Sequence, residues 1–434
     1  MNYQDTIAYL FTRLPMFSRI GPAAFKKDLT NTLELCAFLD DPQKKFKTIH
    51  IAGTNGKGSV SHMLAAILQT AGYKTGLYTS PHLEDFRERI RINGEMISEQ
   101  EVIDFTQKIN PRIESIEPSF FEITVAMAFD HFARHQVDIA VIEVGLGGRL
   151  DSTNVINPEI SVITQIGYDH MNMLGDTLEQ IATEKAGIIK PGIPVVIGEK
   201  QSELLPLFQK IAEERSAPLF LAPEYFQVAD YAWIGHELMI EIENPHETDH
   251  LKYHLDLTGI YQLKNILPVL ETCRLLREKG WNTDHLQIAK ALRQVKSLTG
   301  LQGRWDIIHQ HPTIILEVAH NEDGIRQMLQ QLETINYQHL HIVFGTVKDK
   351  DPENIIQLLP LQARYYFSQA HIPRALDANE LKNMAQKRGL TGKAFSDVNE
   401  ALKTARENAH KDDLIVVCGS IFLVAEVRGV RREA

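Results

Sequence analysis

The stretch KTIHIAGTNGKGSVSHMLAAILQTAGYKTGLYT, residues 47–79, decides the class of fold. Lys47–Ile51 is rich in β-branched residues, which favours a strand, and Ser59–Ala71 has the apolar period of a helix. Lys74–Thr79 has the pattern of a second strand. A strand, a helix and a strand in this order predict a βαβ unit with two parallel strands.

The turn between the first strand and the helix has the composition of a phosphate-binding loop. Glycines let backbone N–H groups turn toward phosphate oxygens, and the N-terminus of the following helix adds partial positive charge. Lys57 is placed to reach terminal phosphates. The predicted ATP-binding residues of this loop are Asn55, Gly56, Lys57, Gly58 and Ser59. The strict pattern GxxxxGK[ST] is not met, so a glycine-rich turn with an incidental lysine is the alternative.

The alternation of strands and helices continues through the first 200 residues. The predicted strands are Asp138–Val144, Ile160–Thr164 and Val195–Ile197, and the predicted helices are Phe121–Gln136 and Thr177–Ile189. This order predicts an α/β fold with a mostly parallel sheet flanked by helices on both faces. Leu238–Leu257 alternates in polarity, which suggests an antiparallel edge of that sheet.

After Gly300 and Gly303 the α/β pattern begins again, which predicts a second, smaller domain. Its predicted strands are Thr313–Glu317, His339–Phe344, Arg364–Ser368 and Leu414–Cys418. We predict an ATP-binding domain over residues 1–298 and a Rossmann-like α/β domain over 299–434. Ligands of such sheets bind beyond the carboxyl ends of the strands, where we expect the functional residues.

Composition limits the possible partners and compartments. The 434 residues include 45 Lys and Arg against 56 Asp and Glu, so the net charge is 45 − 56 = −11, and 44% of residues are hydrophobic. These values exclude a disordered or fibrous chain and argue against a nucleic-acid partner. Three scattered cysteines, no secretory leader and no long apolar run predict a cytoplasmic protein without disulfides or membrane spans.

Two further segments carry candidate chemistry. The segment SPHLEDFRERIRING, residues 80–94, has arginines at 87, 89 and 91, which on an extended segment would alternate; a solvated, charged strand is the plain interpretation. Glu143 ends a buried strand beside the sequence GLGGRLD, an arrangement suited to Mg²⁺. A carboxylate that caps the following loop is the alternative, whereas a dinucleotide fingerprint is weak because GLGGRL lacks its third glycine.

Several motifs together resemble one known family. GTNGKGS, SPHLEDFRERIRING and EVGLGGRLDSTN, with residues 14–35 and Cys418-Gly419-Ser420, resemble the folylpolyglutamate synthase/dihydrofolate synthase family of Mur-type ATP-dependent amide ligases. The resemblance implies that ATP phosphorylates a substrate carboxylate and that the amine of L-glutamate attacks the acyl phosphate. The implied acceptors are dihydropteroate, reduced folates or both, and the implied protein is a monomer.

The resemblance also implies metal ligands. They are Ser80, Glu143, His170 and Lys185, the lysine in carbamylated form. Lys57, His170 and Lys185 are the implied catalytic residues, and the implied cofactors are ATP, two Mg²⁺ ions and, as a further candidate, K⁺. From the residues alone, Lys185 would be a surface lysine and His170 a structural histidine.

Matching motifs extend the expected site to nucleotide and pterin contacts. The implied nucleotide contacts are Asn265 in GIYQLKN, Arg304 in GRW, and Glu317 and His320 in EVAHN. Tyr261 and Glu317 replace the usual histidine and aspartate of their motifs. The implied pterin contacts are Ser119, Phe120, Phe121, Glu122 and, as a lesser candidate, Leu150. Two adjacent phenylalanines at a helix start are otherwise typical of a core.

Two other functions remain as alternatives at this stage. One is a ligase of the same fold that joins an amino acid to a cell-wall precursor. The other is a phosphate-loop ATPase without ligase activity, which would turn over ATP without an acceptor carboxylate.

Overall fold

The computed structural model describes residues 2–16, 21, 28–245 and 250–428. Residues 17–20 and 22–27 of the segment 14–35, which contributed to the resemblance, lie outside the described residues. The chain divides into two compact units. The first comprises Met1–Gly167, Met171–Leu257 and Tyr261–Leu301, and the second Tyr168–His170, Thr258–Ile260 and Gln302–Ala434.

The first unit contains two sheets and the helices packed on them. Its strands β1–β11 are Lys47–Ala52, Thr75–Tyr78, Ile90–Ile92, Glu95–Met96, Ile139–Glu143, Ile160–Ile163, Val195–Ile197, Leu219–Leu221, Gln227–Ile234, Glu237–Glu243 and His250–Leu255. Its helices α1–α12 are Tyr3–Arg13, Thr30–Phe38, Lys57–Thr70, Glu99–Ile116, Phe120–Arg134, Met171–Leu174, Leu178–Ala186, Leu205–Glu214, Ala222–Tyr225, Gln262–Glu278, His285–Leu292 and Val295–Thr299.

The larger sheet of the first unit has the mostly parallel topology that the sequence predicts. Its eight strands lie in the order β4-β3-β2-β5-β1-β6-β7-β8, and β2, β5, β1, β6, β7 and β8 pair in parallel. The strand β1, the helix α3 and the strand β2 form the predicted βαβ unit, so the expectation of an α/β fold is confirmed. The carboxyl ends of β1, β5 and β6 are neighbours at one edge.

The helix α3 is the central element of the first core. It begins at Lys57, two residues before the predicted start, and every residue from Ser59 to Leu68 is buried. Val60 and Leu64 belong to the same buried cluster as Ile49 of the large sheet and Ile240 of the smaller sheet. A helix that is surrounded by protein needs apolar residues on all sides, which explains the sequence MLAAIL.

The residues after Gln227 correct one expectation. The strands β10 and β11, which cover the described part of this stretch, are antiparallel as predicted, but they belong to a separate three-stranded sheet of order β11-β10-β9 and not to an edge of the large sheet. The strand β10 alternates between buried and half-buried residues, which is typical of a sheet with one covered face. Its partner β9 is mostly exposed, so its sequence carries a weaker apolar pattern.

The arginine-rich segment corrects a second expectation. Arg87 and Arg89 lie in a 3₁₀ turn, Phe86–Arg89, and only Arg91 lies on an extended strand. Asp85 starts the turn, because its side chain and that of Glu88 form a capping box. The segment is therefore not one solvated strand.

The second unit is a smaller α/β structure. Its strands β12–β17 are Asp306–Gln310, Thr313–Leu316, Leu340–Phe344, Arg364–Phe367, Gly392–Ala394 and Leu414–Cys418. Its helices α13–α17 are Glu322–Leu332, Pro352–Leu358, Ala378–Gln386, Val398–Asn408 and Ile421–Ala425. The sheet order is β12-β13-β17-β14-β15-β16, with β12 antiparallel and the other strands parallel.

Candidate active site

The phosphate loop follows β1 and is held in place by its neighbours in the first unit. Gly53 has φ +149° and Gly56 has φ +88°, and side chains rarely adopt either conformation. A Cβ on Gly53 would collide with Oγ1 of Thr164, the residue that follows β6. The Thr164 hydroxyl donates to the carbonyl of Asn55 at 2.6 Å. The close approach of Thr164 requires glycine at position 53, and the positive φ values favour glycine at both positions 53 and 56.

Lys57 is the first residue of α3, and its side chain folds back over the loop. Its Nζ donates to the carbonyls of Gly53, at 2.9 Å, and Thr54, at 3.1 Å. The ammonium group is therefore half-buried beside the helix N-terminus, where an anion is stabilised by both the lysine and the helix dipole. The loop has the geometry expected of a phosphate-binding site.

The helix α10 brings Asn265 to the same loop. A Cβ on Gly56 would collide with Oδ1 of Asn265, so the amide lies directly against the loop backbone. Asn265 Nδ2 donates to Oε1 of Gln262 at 2.9 Å, and Gln262 Nε2 donates to Oγ of Ser59 at 3.2 Å. Sequence reasoning missed Gln262, although its position one helical turn before Asn265 was a signal of a shared face.

Glu143 and Ser80 meet at the carboxyl edge of the large sheet. Glu143 is the last residue of β5 and lies opposite Ile51 of β1, the residue two positions before Gly53. Its side chain is buried, with the residue 4% exposed, and its Oε2 accepts from the Ser80 backbone N–H at 3.0 Å. Carboxylate and hydroxyl oxygens are hard donors, so this pair fits Mg²⁺.

Lys185 also reaches the phosphate loop and is not a surface lysine. It lies in the last turn of α7, is 5% exposed, and donates from Nζ to the Gly53 carbonyl at 2.8 Å. The glycine-rich segment after β5 makes this approach possible. A Cβ on Gly148 would lie 2.8 Å from the carbonyl oxygens of Glu184 and Lys185.

His170 belongs to the second unit, where it lies in a cluster of charged side chains. Its φ is +51°, and its Nε2 lies 3.3 Å from Nζ of Lys350. Lys350 forms an ion pair with Asp169, and His320 Nε2 lies 3.4 Å from Oδ2 of the same carboxylate. Burial opposes ionisation of Asp169, but Lys350 and the two histidines outweigh it and hold the pKa of Asp169 well below its usual value.

Sequence reasoning did not include Lys350 or Asp169 among the candidate site residues. Their positions in the sequence could have indicated a functional role. Lys350 follows the carboxyl end of β14, and Asp169 precedes His170. Both are in regions where parallel sheets place functional groups.

Glu317 and Arg304 lie in the second unit near the start of its sheet. Glu317 is 3% exposed and accepts backbone N–H groups on both oxygens, from Trp305 at 2.9 Å and from Ala319 at 3.2 Å. Arg304 contacts the Gly303 carbonyl from its Nη1 at 3.5 Å. Glu317 thus orders the turn that carries Arg304, as a carboxylate at a strand end does, and its contact with a nucleotide stays a prediction.

The predicted pterin segment, residues 119–122, lies at the start of α5, and its two phenylalanines lie in different environments. Ser119 caps the helix, and Glu122 completes a capping box through the Ser119 N–H at 2.6 Å. Phe120 is buried against Phe11, at a ring-centroid distance of 5.3 Å, and is a core residue.

Phe121 differs from its neighbour, because it is only half-buried. A Cβ on Gly145 would collide with the Phe121 ring, so the ring covers the backbone that follows Glu143. Leu150 is also half-buried. The half-buried Phe121 therefore lies beside the end of β5, whereas Phe120 lies in the core.

Comparison with known proteins defines the class of this protein. Residues 51–273 match the Mur ligase middle domain, and residues 303–421 match the Mur ligase glutamate ligase domain. These two domains, with a phosphate loop and a buried carboxylate at the sheet edge, define an ATP-dependent ligase of the Mur type.

Individual relatives define the family more closely. The chain is 33% identical to a Bacillus subtilis protein named dihydrofolate synthase/folylpolyglutamate synthase, over 98% of both chains. An Escherichia coli FolC structure in complex with DHPP and ADP has a TM-score of 0.84 and 28% identity, covering 98% of this chain and 96% of that one. A Yersinia pestis structure of the bifunctional synthase, complexed with AMPPNP and a Mn ion, has a TM-score of 0.82 and 29% identity, covering 98% and 97%.

The chain belongs to the folylpolyglutamate synthase/dihydrofolate synthase family. It is an ATP-dependent ligase that adds glutamate in folate metabolism, and ATP with a divalent metal ion serves the reaction. In the described part of the chain, no helix combines the length and apolar character needed to cross a membrane.

Proposed function

We propose that this chain joins L-glutamate to both dihydropteroate and reduced folates through an acyl-phosphate intermediate. The observation that carries the proposal is the phosphate loop, packed against Thr164, Asn265 and Lys185, with the buried carboxylate of Glu143 at the neighbouring strand end. The name of the Bacillus subtilis relative supports both acceptors, since it includes both synthase activities.

Residues of the first unit would bind and orient ATP. The proposed nucleotide contacts there are Asn55, Gly56, Lys57, Gly58, Ser59 and Asn265. On this proposal, Lys57 exchanges its two carbonyl partners for the terminal phosphate oxygens of ATP. A bound lysine and fixed N–H groups stabilise phosphoryl transfer by position and charge, because the protein does little covalent work in this reaction.

Ser80, Glu143 and His170, with Lys185, are the proposed metal ligands. The buried carboxylate of Glu143 and the half-buried hydroxyl of Ser80 offer oxygen donors that fit Mg²⁺, and His170 is a competent additional ligand. When bound, the metal neutralises phosphate charge and polarises the oxygens between which the phosphoryl group moves. Two Mg²⁺ ions and a further K⁺ are proposed on the resemblance.

We propose that Lys185 is carbamylated. The ammonium group loses one proton, the neutral amine adds to CO₂ and a second proton leaves, so the cationic side chain becomes a carboxylate-like metal ligand. The burial of Lys185 supports this change, since an enclosed lysine loses water that stabilises its charged form. Intact-mass measurement of the protein in bicarbonate and after acid treatment tests it, and an unchanged mass under both conditions would contradict it.

Further residues and properties belong to the same proposal. Arg304, Glu317 and His320 are proposed nucleotide contacts on their motifs. Ser119, Phe121, Glu122 and Leu150 are proposed contacts of the pterin, with Phe120 supporting them from the core. We also propose an ATP-binding domain over residues 1–298 and a C-terminal α/β domain over residues 299–434, a monomeric protein and a cytoplasmic location.

The reaction needs a carboxylate to become an electrophile. The γ-phosphoryl group of ATP is transferred to the acceptor carboxylate, the amine of glutamate attacks the acyl carbon, and phosphate leaves. Lys57 and the N–H groups at the start of α3 would hold the phosphates in line. Phe121, whose half-buried ring lies beside Gly145, would hold the flat heterocycle by stacking.

The test is ADP release that depends on both substrates, combined with mass spectrometry of the product. Dihydropteroate and tetrahydrofolate are supplied together with glutamate and ATP, and both glutamylated products are expected. Glutamylation of only one acceptor would restrict the function to that acceptor. ADP release without an acceptor would indicate an ATPase, and activity only with a cell-wall precursor would indicate the sibling ligase.

A further inference from the structure

Three side chains with metal-ligating atoms meet where α4 and α5 pack together in the first unit. Glu101 lies in the first turn of α4, and His131 and His135 are four residues apart at the end of α5. Oε1 of Glu101 lies 2.7 Å from Nε2 of His135 and 3.2 Å from Nδ1 of His131. The three ligand atoms all lie within 4.8 Å of one another.

Glu101 is held in the orientation that a ligand needs. Its other oxygen, Oε2, accepts from the Ser98 hydroxyl at 2.8 Å and from the Ser98 N–H at 3.3 Å, which completes the capping box of α4. This leaves Oε1 directed at the two imidazoles. A fixed second oxygen is the usual support of a carboxylate ligand in a metal site.

His131 is buried without a hydrogen-bond partner for the nitrogen that faces Glu101. The residue is 4% exposed, and its Nδ1 has no hydrogen bond within the part of the chain that the structure describes, although Glu101 is close. A buried imidazole nitrogen without a hydrogen-bond partner is unfavourable, and a metal ion bound at this nitrogen would satisfy it.

We propose that Glu101, His131 and His135 form a binding site for a borderline divalent cation of the Zn²⁺, Ni²⁺ and Co²⁺ class. Two imidazoles and one carboxylate favour these ions over Mg²⁺, which prefers oxygen donors. The site is separate from the predicted pterin contacts at the start of α5. The helix α5 has 15 residues, so its end lies about 22 Å from Ser119 at its start.

The present spacing needs only a small change to accept the ion. Bonds of about 2.0–2.2 Å in a tetrahedral site separate ligand atoms by roughly 3.4 Å, so His135 must withdraw from Glu101 by under about 1 Å, and ligand atoms that are up to 4.8 Å apart must approach by at most roughly 1.4 Å. The His135 side chain is 41% exposed and has room to move. A water molecule would complete the coordination.

Arg134 is the nearby charge that opposes a cation. Its Nη2 lies 3.6 Å from Oε1 of Glu101, but its Nε donates to Oδ2 of Asp130 at 2.9 Å. The Arg134 side chain is 45% exposed, so its guanidinium can turn to water while it keeps Asp130. The ion would then link α4 to α5 in place of a hydrogen bond between Glu101 and His135.

The experiment is a competition between the full-length protein and a chromophoric zinc chelator, with excess Mg²⁺ and ADP present to occupy the catalytic site. We expect one tight Zn²⁺ site in the wild type and at least about tenfold weaker binding in His135→Gln, because even outer-shell partners change affinity about 10–100-fold. The half-exposed His135 is substituted because its loss leaves the core intact. A Zn²⁺-dependent rise in the melting temperature should disappear in the same variant.

The matched control is His250→Gln. His250 is an exposed histidine whose Nδ1 lies 3.0 Å from Oε1 of Glu241, so it has the same kind of carboxylate partner but belongs to no three-ligand group among the described residues. The control should bind Zn²⁺ as the wild type does, and Glu101→Gln should bind as His135→Gln does. Equal affinity in all four proteins, or no tight site in the wild type, would overturn the proposal.

Discussion

Lys57 donates its side-chain hydrogen bonds to two carbonyl groups of its own loop. These bonds, to Gly53 and Thr54, order the loop before any phosphate arrives. Because the lysine is half-buried and its partners are neutral, its removal has a small effect on stability compared with its effect on a bound polyphosphate.

Lys57→Ala should therefore lower glutamate-dependent ADP release at least about a hundredfold, the size of effect seen when one fixed donor to a transition-state charge is lost. The melting temperature should change little. Lys264→Ala is the control, since Lys264 lies in the first turn of α10 and pairs with Glu199 on the surface at 2.8 Å. Near-normal turnover in the Lys57 variant would remove this lysine from the mechanism.

Gly56 and Gly72 both have a positive φ but differ in their surroundings. Their φ values are +88° and +93°, yet a Cβ on Gly56 meets Asn265, whereas one on Gly72 meets nothing within 4 Å among the described residues. Alanine at either position should lower the free energy of unfolding by about 1–2 kcal/mol because of the positive φ.

Only Gly56→Ala should also raise the KM for ATP, because the new methyl group displaces Asn265 from the phosphate loop. Steady-state kinetics over a range of ATP concentrations measures this difference. A similar rise in the KM of Gly72→Ala would show that backbone strain alone, and not the contact with Asn265, controls nucleotide binding.

At the scale of elements, α4 and α5 begin with the same N-terminal capping motif. Ser98 with Glu101, and Ser119 with Glu122, each form a capping box. Alanine in place of either serine should lower the free energy of unfolding by about 1 kcal/mol. Ser119→Ala alone should also raise the KM for the pterin acceptor, because the first turn of α5 positions Phe121.

Urea unfolding and acceptor kinetics of the two serine variants separate these effects. Equal acceptor KM values for Ser98→Ala and Ser119→Ala would mean that the start of α5 does not position the substrate.

The elements that the sequence predicted best are those with strong local signals. The strand β1 and helix α3 combine an apolar run, glycines and a helical period within 24 residues, and all of these agree. The prediction for the segment that contains Arg87 and Arg89 was wrong, because a spacing of two residues between arginines was interpreted as a strand. Asp85 and Glu88, spaced as a capping box, were the stronger local signal for a turn.

The candidate site was predictable only where its residues lie in recognisable motifs. The phosphate loop and Glu143 follow strands and were found in that way. The contact of Thr164 with Gly53 joins residues that are far apart in the sequence, and Lys350 lies 181 residues from Asp169. No periodicity encodes such pairs, because they depend on which strand ends become neighbours after folding.

At the scale of the whole molecule, the net charge of −11 opposes the approach of anionic substrates. The arginines whose charge would offset it are largely engaged with protein groups. Arg87 pairs with Asp85 at 2.6 Å, Arg149 pairs with Glu184 at 2.8 Å, and the buried Arg89 donates to His82 at 2.7 Å. Attraction therefore depends on a few groups at the sheet edges rather than on a cationic face.

In the second unit, the buried carboxylate of Asp413 makes the free energy of unfolding depend on pH in the acid range. Asp413 is 1% exposed and precedes β17. Burial opposes its ionisation, but the His410 N–H at 2.8 Å and the histidines His339 and His341 lower the pKa of Asp413 to about 2. Burial also lowers the pKa of His341, so that group destabilises the fold in acid as well.

Since the pKa of Asp413 is depressed in the folded state, its contribution is complete above the unfolded value near 4 and is lost as the pH falls toward about 2. Asp413→Asn should therefore lower the free energy of unfolding by about 2 kcal/mol at pH 7, and the difference from the wild type should shrink below about pH 4. Trp305, which is buried in the same unit, reports its unfolding in urea. Asp412→Asn, at the exposed neighbouring position, should match the wild type at every pH. A difference between Asp413→Asn and the wild type that stayed constant as the pH fell would mean that packing, and not the charge of the carboxylate, carries the effect.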